Sequence, residues 1–589
     1  MRPVSRIGKL TIILAKVAAS ALLMAATLGF LWHPTPGIAL GNPGGPDVPV
    51  WLATAALGWY QDFLNNLLPF YRRSLVLAAI YGAASAFCVL AVFLTPFVAN
   101  TPLRIALSVL LVGGISYDLI MYDIGGMPPK LQTTYTILMN ARYGLEEGGA
   151  DLYLNTIVRN LAFTIVALIV YSIRPPPLPK SVRWLPLFTI AMTAVSIGGI
   201  LWRTDGYSRA FPSPFSSYID AYMALQQDLD QPIYDVRYTA RPVGPFEKIV
   251  VIMDESIRGD YLSLNDPAVE TTPFLLSRSK DIANFGVAVS ASNCSSESRM
   301  VARYGLRDDD LGLSWRQLKS RTTFWQYAHR AGFKTVYIDT VGTPALPYYG
   351  MTATELKFID DRIMLRGTPL YTRDEQVADR LAELLRTPGR MFIYVEKYGA
   401  HVPYDKMYPP SQNVFGADLQ VPFGLENRDE LIRQYKNAIR WSVDRFFSVV
   451  LAKGLPSETL ILYTSDHGQS LSENATRQTH CSTSATAAKA EGSVPLFAMT
   501  NDPTWDRMLK EAATLNFNRA DQYDIFPTLL SAMGYRKSWI AENFTGEPAR
   551  QYSCRATTRV HGRRQGPDEE LRRVANSVGG STCSQFSTW

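Results

Sequence analysis

The chain has 589 residues, 47% of them hydrophobic and 19% charged, and a formal net charge of +6 from 58 basic and 52 acidic side chains. At about 100 to 200 residues per domain that length holds two to four domains and excludes a single small module. The mild charge, without any long run of one sign, leaves nucleic acid no electrostatic footprint, so no nucleic-acid partner is expected. Cys88, Cys294, Cys481, Cys554 and Cys583 form neither a disulfide-dense scaffold nor a paired CxxC zinc site.

No Asp, Glu, Lys or Arg occurs in 74–103, whereas charges reach ordinary soluble density beyond Arg203. A bilayer core needs about 20 mostly apolar helical residues. Five runs approach that length: 10–32, interrupted by Lys16; 74–98; 104–121; 154–173, in which Arg159 forces either snorkelling or a tilted start; and 184–202. The first is longer than the apolar region of a signal peptide and no small-x-small site follows promptly, so a retained anchor is expected. With the amino terminus inside, Arg2, Arg6, Lys9, Arg104, Arg174, Lys180 and Arg183 fall on the cytoplasmic side. An odd number of spans then places everything after Arg203 outside the cytoplasm, where disulfides persist. The expected organisation is a five-helix transmembrane domain (1–203), a proline-rich linker with a membrane-surface helix at 218–229 (204–245), a catalytic domain (246–550) and a polar tail (551–589).

Beyond Glu247, short runs of branched and aromatic residues predict strands at 249–253, 334–338, 391–395, 459–464 and 494–499, with helices at 313–331, 375–386, 427–453 and 521–534. The alternation implies βαβ units and a mainly parallel sheet covered on both faces, whose site lies beyond the carboxyl ends of the strands. Polar residues follow that geometry. IVVIM runs into Asp254 and Glu255, MFIYV into Glu396 and then His401, and TLILYT into Ser465, Asp466, His467 and Gly468. Any one of these alone reads as a cap or surface turn; three strand ends carrying oxygen and nitrogen ligands read as a divalent-cation site. SASNCSSESRM (290–300) opens a helix with small hydroxyl residues, which serve as caps or place a nucleophile where the helix amino terminus favours negative charge.

VVIMDESIRGDYLSLN, TTPFLLSRSKDIANF, NCSSESR, YGAHVPYDKMYP, YKNAIRWSVDRFF, SDHGQSLSEN with His480 after it, SVPLF and DIFPTLL, in that order, resemble the alkaline-phosphatase and sulfatase superfamily. Within it they resemble the membrane-bound phosphoethanolamine transferases that include the colistin-resistance enzymes. The resemblance covers nearly the whole chain and implies an α-helical transmembrane bundle followed by a sulfatase-like α/β domain with a mainly parallel central sheet. It implies one or two Zn²⁺ ions held by Glu255, Ser295, Asp466 and His467, with Ser295 as nucleophile and Ser296 as the runner-up. His401 and His480 match further family histidines that contact the phosphoryl group, protonate the leaving group or hold a second metal. The implied reaction moves phosphoethanolamine from the phospholipid phosphatidylethanolamine to lipid A or another envelope glycan through a covalent phospho-enzyme. The implied location is the bacterial inner membrane, with the catalytic domain in the periplasm.

The chain departs from the family pattern in having no Thr in the nucleophile cluster, Gln469 where DHGES has Glu, and Asp254 where Gly is typical. Ser295 to Arg299 keeps the nucleophile-x-x-Ser-Arg spacing of sulfatases, but counted from Cys294 the fifth residue is Ser298, which argues against formylglycine chemistry. Rival readings are a phosphodiesterase-type hydrolase, a phosphoglycerol transferase and an inactive membrane-anchored binding protein. A bridge between Cys294 beside the nucleophile and Cys481 beside His480 would brace two active-site segments, the alternative being unpaired small thiols, and the same choice stands for Cys554 and Cys583 in the tail.

Overall fold

The structure is a computed structural model that describes residues 75–125, 164–176, 178–204, 233–238, 242–307, 318–341, 351–418, 427–473, 479–480 and 488–545, with isolated positions elsewhere in the first 218. Two compact units, Met1–Gln227 and Asp228–Trp589, divide the chain.

In the first unit, helices α1 (Leu75–Leu94), α2 (Thr101–Gly125) and α3 (Leu185–Thr204) stand at the second, third and fifth apolar runs. The Asn100 side chain accepts from Leu103 N–H (3.0 Å) and starts α2, with Pro102 in its first turn. Val92, Leu111, Val112, Ile115, Ala167 and Tyr171 pack together, while Leu75, Val76, Ile80, Leu90, Val109 and Leu110 face outward. Lys16 donates to the carbonyls of Pro96 (3.0 Å), Val170 (3.1 Å) and Tyr171 (3.3 Å), and Arg104 to those of Val98 (2.7 Å) and Ser172 (3.1 Å). Both buried cations thus serve carbonyls at chain bends. Among the described residues no helix is long and apolar enough to cross a membrane. Most of the 10–32 run, the linker helix at 218–229 and the 551–589 tail lie outside the described residues.

The second unit is built on a seven-stranded sheet. Its strands are β1 (Lys248–Asp254), β2 (Ala283–Val289), β3 (Lys334–Asp339), β4 (Asp361–Met364), β5 (Met391–Glu396), β6 (Thr459–Ser465) and β7 (Ser493–Thr500), ordered β2-β7-β6-β1-β5-β3-β4. All five expected strands form. The sheet is mixed, because β7 runs antiparallel to β6 and β2 antiparallel to β7. Two strands escape the sequence pattern for local reasons: β2 carries Gly286 at φ +79° beside a register shift, and β4 is four residues long and half charged.

Alternating side chains of β1 enter opposite cores, which is why its run is apolar throughout. Ile249, Val251 and Met253 join Phe324 and Trp325 of α5 (Phe324–Arg330), Leu509 of α8 (Pro503–Leu515) and Leu529 of α9 (Ile525–Met533). Val250 and Ile252 join Val377 and Leu381 of α6 (Thr372–Leu384) and Leu431 and Tyr435 of α7 (Arg428–Ile439). Helix α4 (Ser295–Tyr304) follows the serine cluster. The helix expected over 313–331 is interrupted: 320–323 are non-helical, and α5 starts afresh where Gln326 Oε1 accepts from Thr323 N–H (3.0 Å), while 308–317 lie outside the described residues. The one expected over 427–453 contains a π-helical turn, Arg440–Arg445, before continuing to Val450. In that wide turn Asp444 accepts from the N–H groups of Phe274 (3.1 Å) and Leu275 (3.0 Å), tying a neighbouring helix to it.

Candidate active site

Register brings the first components together. Parallel β1 and β6 pair Asp254 with Ser465, so Glu255 and Asp466 leave the sheet side by side. Ser256 takes the left-handed conformation (φ 64°), a cost of about 1–3 kcal/mol for a non-glycine residue. Bonds around the turn offset it: Ser256 N–H donates to Asp466 Oδ1 (3.1 Å), its Oγ donates to Glu255 Oε1 (2.8 Å), and Tyr435 Oη donates to Ser256 O (2.7 Å). Asp466 Oδ1 also accepts from His467 N–H (2.8 Å). At Gly468 an added Cβ would lie 2.0 Å from Ala490 O, so the chain after His467 passes where only glycine fits. The His467 ring donates Nδ1–H to Gly468 O (2.7 Å), leaving Nε2 as the ligand atom. One atom each from Glu255, Asp466 and His467 lies within 4.8 Å of the others, and all three residues are buried.

The serine cluster divides its work. Ser298 Oγ accepts from Ser292 N–H (3.0 Å) and donates to Ser292 O (2.9 Å), and Ser292 Oγ accepts from Cys294 N–H (3.1 Å), so these serines shape the turn into α4. Ser295 opens the helix with Oγ 3.1 Å from His467 Nε2, whereas Ser296 Oγ donates to Glu297 (2.9 Å). Cys294 is disulfide-bonded and Cys88 is a free buried thiol, while Cys481, Cys554 and Cys583 lie outside the described residues.

Sequence reasoning gave Arg299 no role in the site, yet its guanidinium joins both carboxylates. Nη2 lies 2.8 Å from Glu255 Oε2 and 3.1 Å from Asp466 Oδ2, Nε donates to Asp466 Oδ2 (3.2 Å), and Nη1 lies 3.4 Å from Glu396. The available signal was its place one helical turn after Ser295, on the same face. Burial opposes ionisation of Glu255, but His467, Arg299 and His401 outweigh it and hold the carboxyl well below its usual range. Burial and the Glu255 charge push Asp466 up, against His467 and Arg299. Although burial disfavours its charge, Asp466 and Glu255 hold the His467 imidazolium to about 9.

Asp254 stands behind this group. It accepts from Lys397 Nζ (2.6 Å) and Tyr463 Oη (2.8 Å), and burial lifts its carboxyl to about 6 despite Lys397. Lys397, also unassigned by sequence, is thereby buried against the strand end. Gly399 (φ 58°) passes so close that a Cβ would lie 2.4 Å from Asp254 Oδ1. Glu396, at a third strand end, accepts from Tyr337 Oη (2.5 Å) and faces Arg299, and it is not one of the three grouped candidate ligands.

The two further histidines differ in their anchoring. His401 donates Nδ1–H to Val402 O (2.6 Å). The His480 ring stacks on His467 with centroids 4.2 Å apart and planes at 18°, and its Nδ1 lies 3.0 Å from Thr479 Oγ1 and 3.2 Å from Gln469 Oε1. Burial and the neighbouring His467 charge hold His480 well below the ordinary imidazole range. Two carboxylates and one imidazole with a hydroxyl alongside form a hard oxygen and nitrogen donor set that fits Zn²⁺.

Residues 247–535 match the family described as Sulfatase. The chain is 22% identical over 373 residues to the Kdo(2)-lipid A phosphoethanolamine 7''-transferase of Salmonella typhimurium, covering 58% of this chain and 61% of that protein. The Escherichia coli protein of the same name is 22% identical over 317 residues, covering 49% of this chain and 51% of its own length. Among solved structures, the integral membrane protein lipooligosaccharide phosphoethanolamine transferase A (EptA) from Neisseria meningitidis shares the fold, with a TM-score of 0.55, 15% identity, and coverage of 88% of this chain and 97% of that one. Residues 247–535, just under half of the chain, thus form a domain that matches the sulfatase family.

Proposed function

We propose that the protein transfers phosphoethanolamine from phosphatidylethanolamine to an envelope glycolipid such as lipid A, with Ser295 as nucleophile. The observation that carries this reading is Ser295 Oγ at 3.1 Å from His467 Nε2, beside the convergent donors of Glu255, Asp466 and His467. These four residues would hold a Zn²⁺ ion, which when bound lowers the pKa of a hydroxyl and neutralises charge on a phosphoryl group. Curated relatives named for the same transfer to Kdo(2)-lipid A support the choice of reaction.

The chain's own residues supply the rest. At the start of the ten-residue α4, Ser295 is flanked by first-turn amides that face developing negative charge on the phosphoryl oxygens. In the first step Ser295 yields its proton to an imidazole and its Oγ forms a bond to phosphorus as the bond to the diacylglycerol oxygen breaks, and the imidazole passes that proton to the departing oxygen. In the second, the acceptor hydroxyl yields its proton to the imidazole and attacks phosphorus as the bond to Ser295 Oγ breaks, and the imidazole returns that proton to Ser295. His401 and His480, both partly accessible, take these proton roles. A membrane-anchored chain with this domain in the periplasm brings the site to the donor headgroups.

Mass spectrometry of envelope glycolipids from cells with the native chain, with Ser295→Ala and without the chain tests the reading. A phosphoethanolamine increment that appears only with the native chain supports it. The same increment with Ser295→Ala rules out Ser295 as nucleophile, and donor headgroup released to water without an acceptor marks a hydrolase instead.

A further inference from the structure

We infer that Gln469 is a positioning residue: its amide oxygen accepts Nδ1–H of His480 and so fixes the tautomer in which Nε2 is the basic atom. His467 and His401 obtain that tautomer from backbone carbonyls, Gly468 O at 2.7 Å and Val402 O at 2.6 Å. His480 instead relies on side chains, with Gln469 Oε1 at 3.2 Å and Thr479 Oγ1 at 3.0 Å from Nδ1. A hydroxyl rotates to accept or donate, so Thr479 follows the tautomer. A buried amide can do so only by turning over about its Cγ–Cδ bond, and Gln469 is fully buried with Oε1 towards His480. Its backbone is tied as well, since Gln469 O accepts from Arg258 Nη1 (3.3 Å). Stacking on His467 at 4.2 Å fixes the ring plane, leaving the protonated nitrogen as the variable that Gln469 decides. A neutral acceptor does this without a third negative charge next to Glu255 and Asp466, which a glutamate there would add.

The inference rests on the reading of His480 as a proton carrier in transfer. Solid-state NMR of the ¹⁵N-histidine-labelled full chain in lipid, with His480 assigned from the spectrum of His480→Gln, reads the tautomer directly. The native protein is expected to show a protonated Nδ1 and a bare Nε2 at His480. Gln469→Glu keeps that state, whereas Gln469→Leu shifts it towards Nε2–H. The same Leu variant slows acceptor-dependent turnover of the phospho-enzyme about 10- to 100-fold, the usual effect of losing such a partner, with little change in acceptor KM. A native spectrum with Nε2–H, which needs no variant to fold, overturns the inference, as does an unchanged Gln469→Leu spectrum. Undiminished transfer by His480→Gln overturns the functional reading instead.

Discussion

Ser295 and Ser296 are neighbours of one chemistry, and the helix separates them: one Oγ meets His467 and the other meets Glu297. Ser295→Ala is therefore expected to yield no phospho-enzyme in intact-protein mass spectra, while Ser296→Ala yields it at near-native level. Arg299 is fully buried between Glu255 and Asp466, so removing it leaves two buried carboxylates with His467 as their remaining counter-charge. Arg299→Met is expected to cost about 3–5 kcal/mol in the metal-free protein. Added Zn²⁺ recovers much of that loss, and thermal unfolding with and without chelator measures both. The candidate ligand types were legible as strand-end Asp, Glu and His. Arg299 was not, because sequence displays its spacing from Ser295 but not the direction of its guanidinium. The same holds for Lys397, whose partner Asp254 lies 143 residues away.

At the scale of elements, the chain from Ser465 to Glu473 carries Asp466, His467 and Gln469 and is pinned from below. Arg258 pairs with Asp260 at 2.6 Å and with Glu473, and it also holds Gln469 O. Burial opposes ionisation of Glu473, but Arg258 outweighs it and holds the carboxyl below its ordinary 4.5. A depressed carboxyl adds stability above its ordinary pKa, and that contribution fades as pH falls through the lower folded value. Glu473→Gln is thus expected to be less stable than native above pH 4.5 and to converge with it in more acidic solution, as denaturant titrations across pH would show. Gly468→Ala meets Ala490 O and is expected to abolish folded expression of the domain. The five apolar strands announced themselves by composition. The direction of β7 did not, because antiparallel pairing with β6 is decided by the connection between them, while β2 and β4 hid behind a glycine bulge and two charges.

On the scale of the molecule, two units with different surfaces share one chain: the first turns Leu, Val and Ile outward, and the second buries its branched residues on both faces of the sheet. Cell fractionation is expected to place the full chain with membranes, released by detergent and not by salt, and a chain beginning at Asp228 in the soluble fraction. A salt-releasable full chain would exclude the membrane-anchored reading.

The guanidinium lodged among the site's acids also bears on the order in which the enzyme is assembled. Where an ion is the sole counter-charge for its ligands, the polypeptide must acquire that ion before it can close, and maturation becomes hostage to supply. Here the counter-charge is translated with the chain, so folding can finish first and metal uptake can follow as a separate, later event.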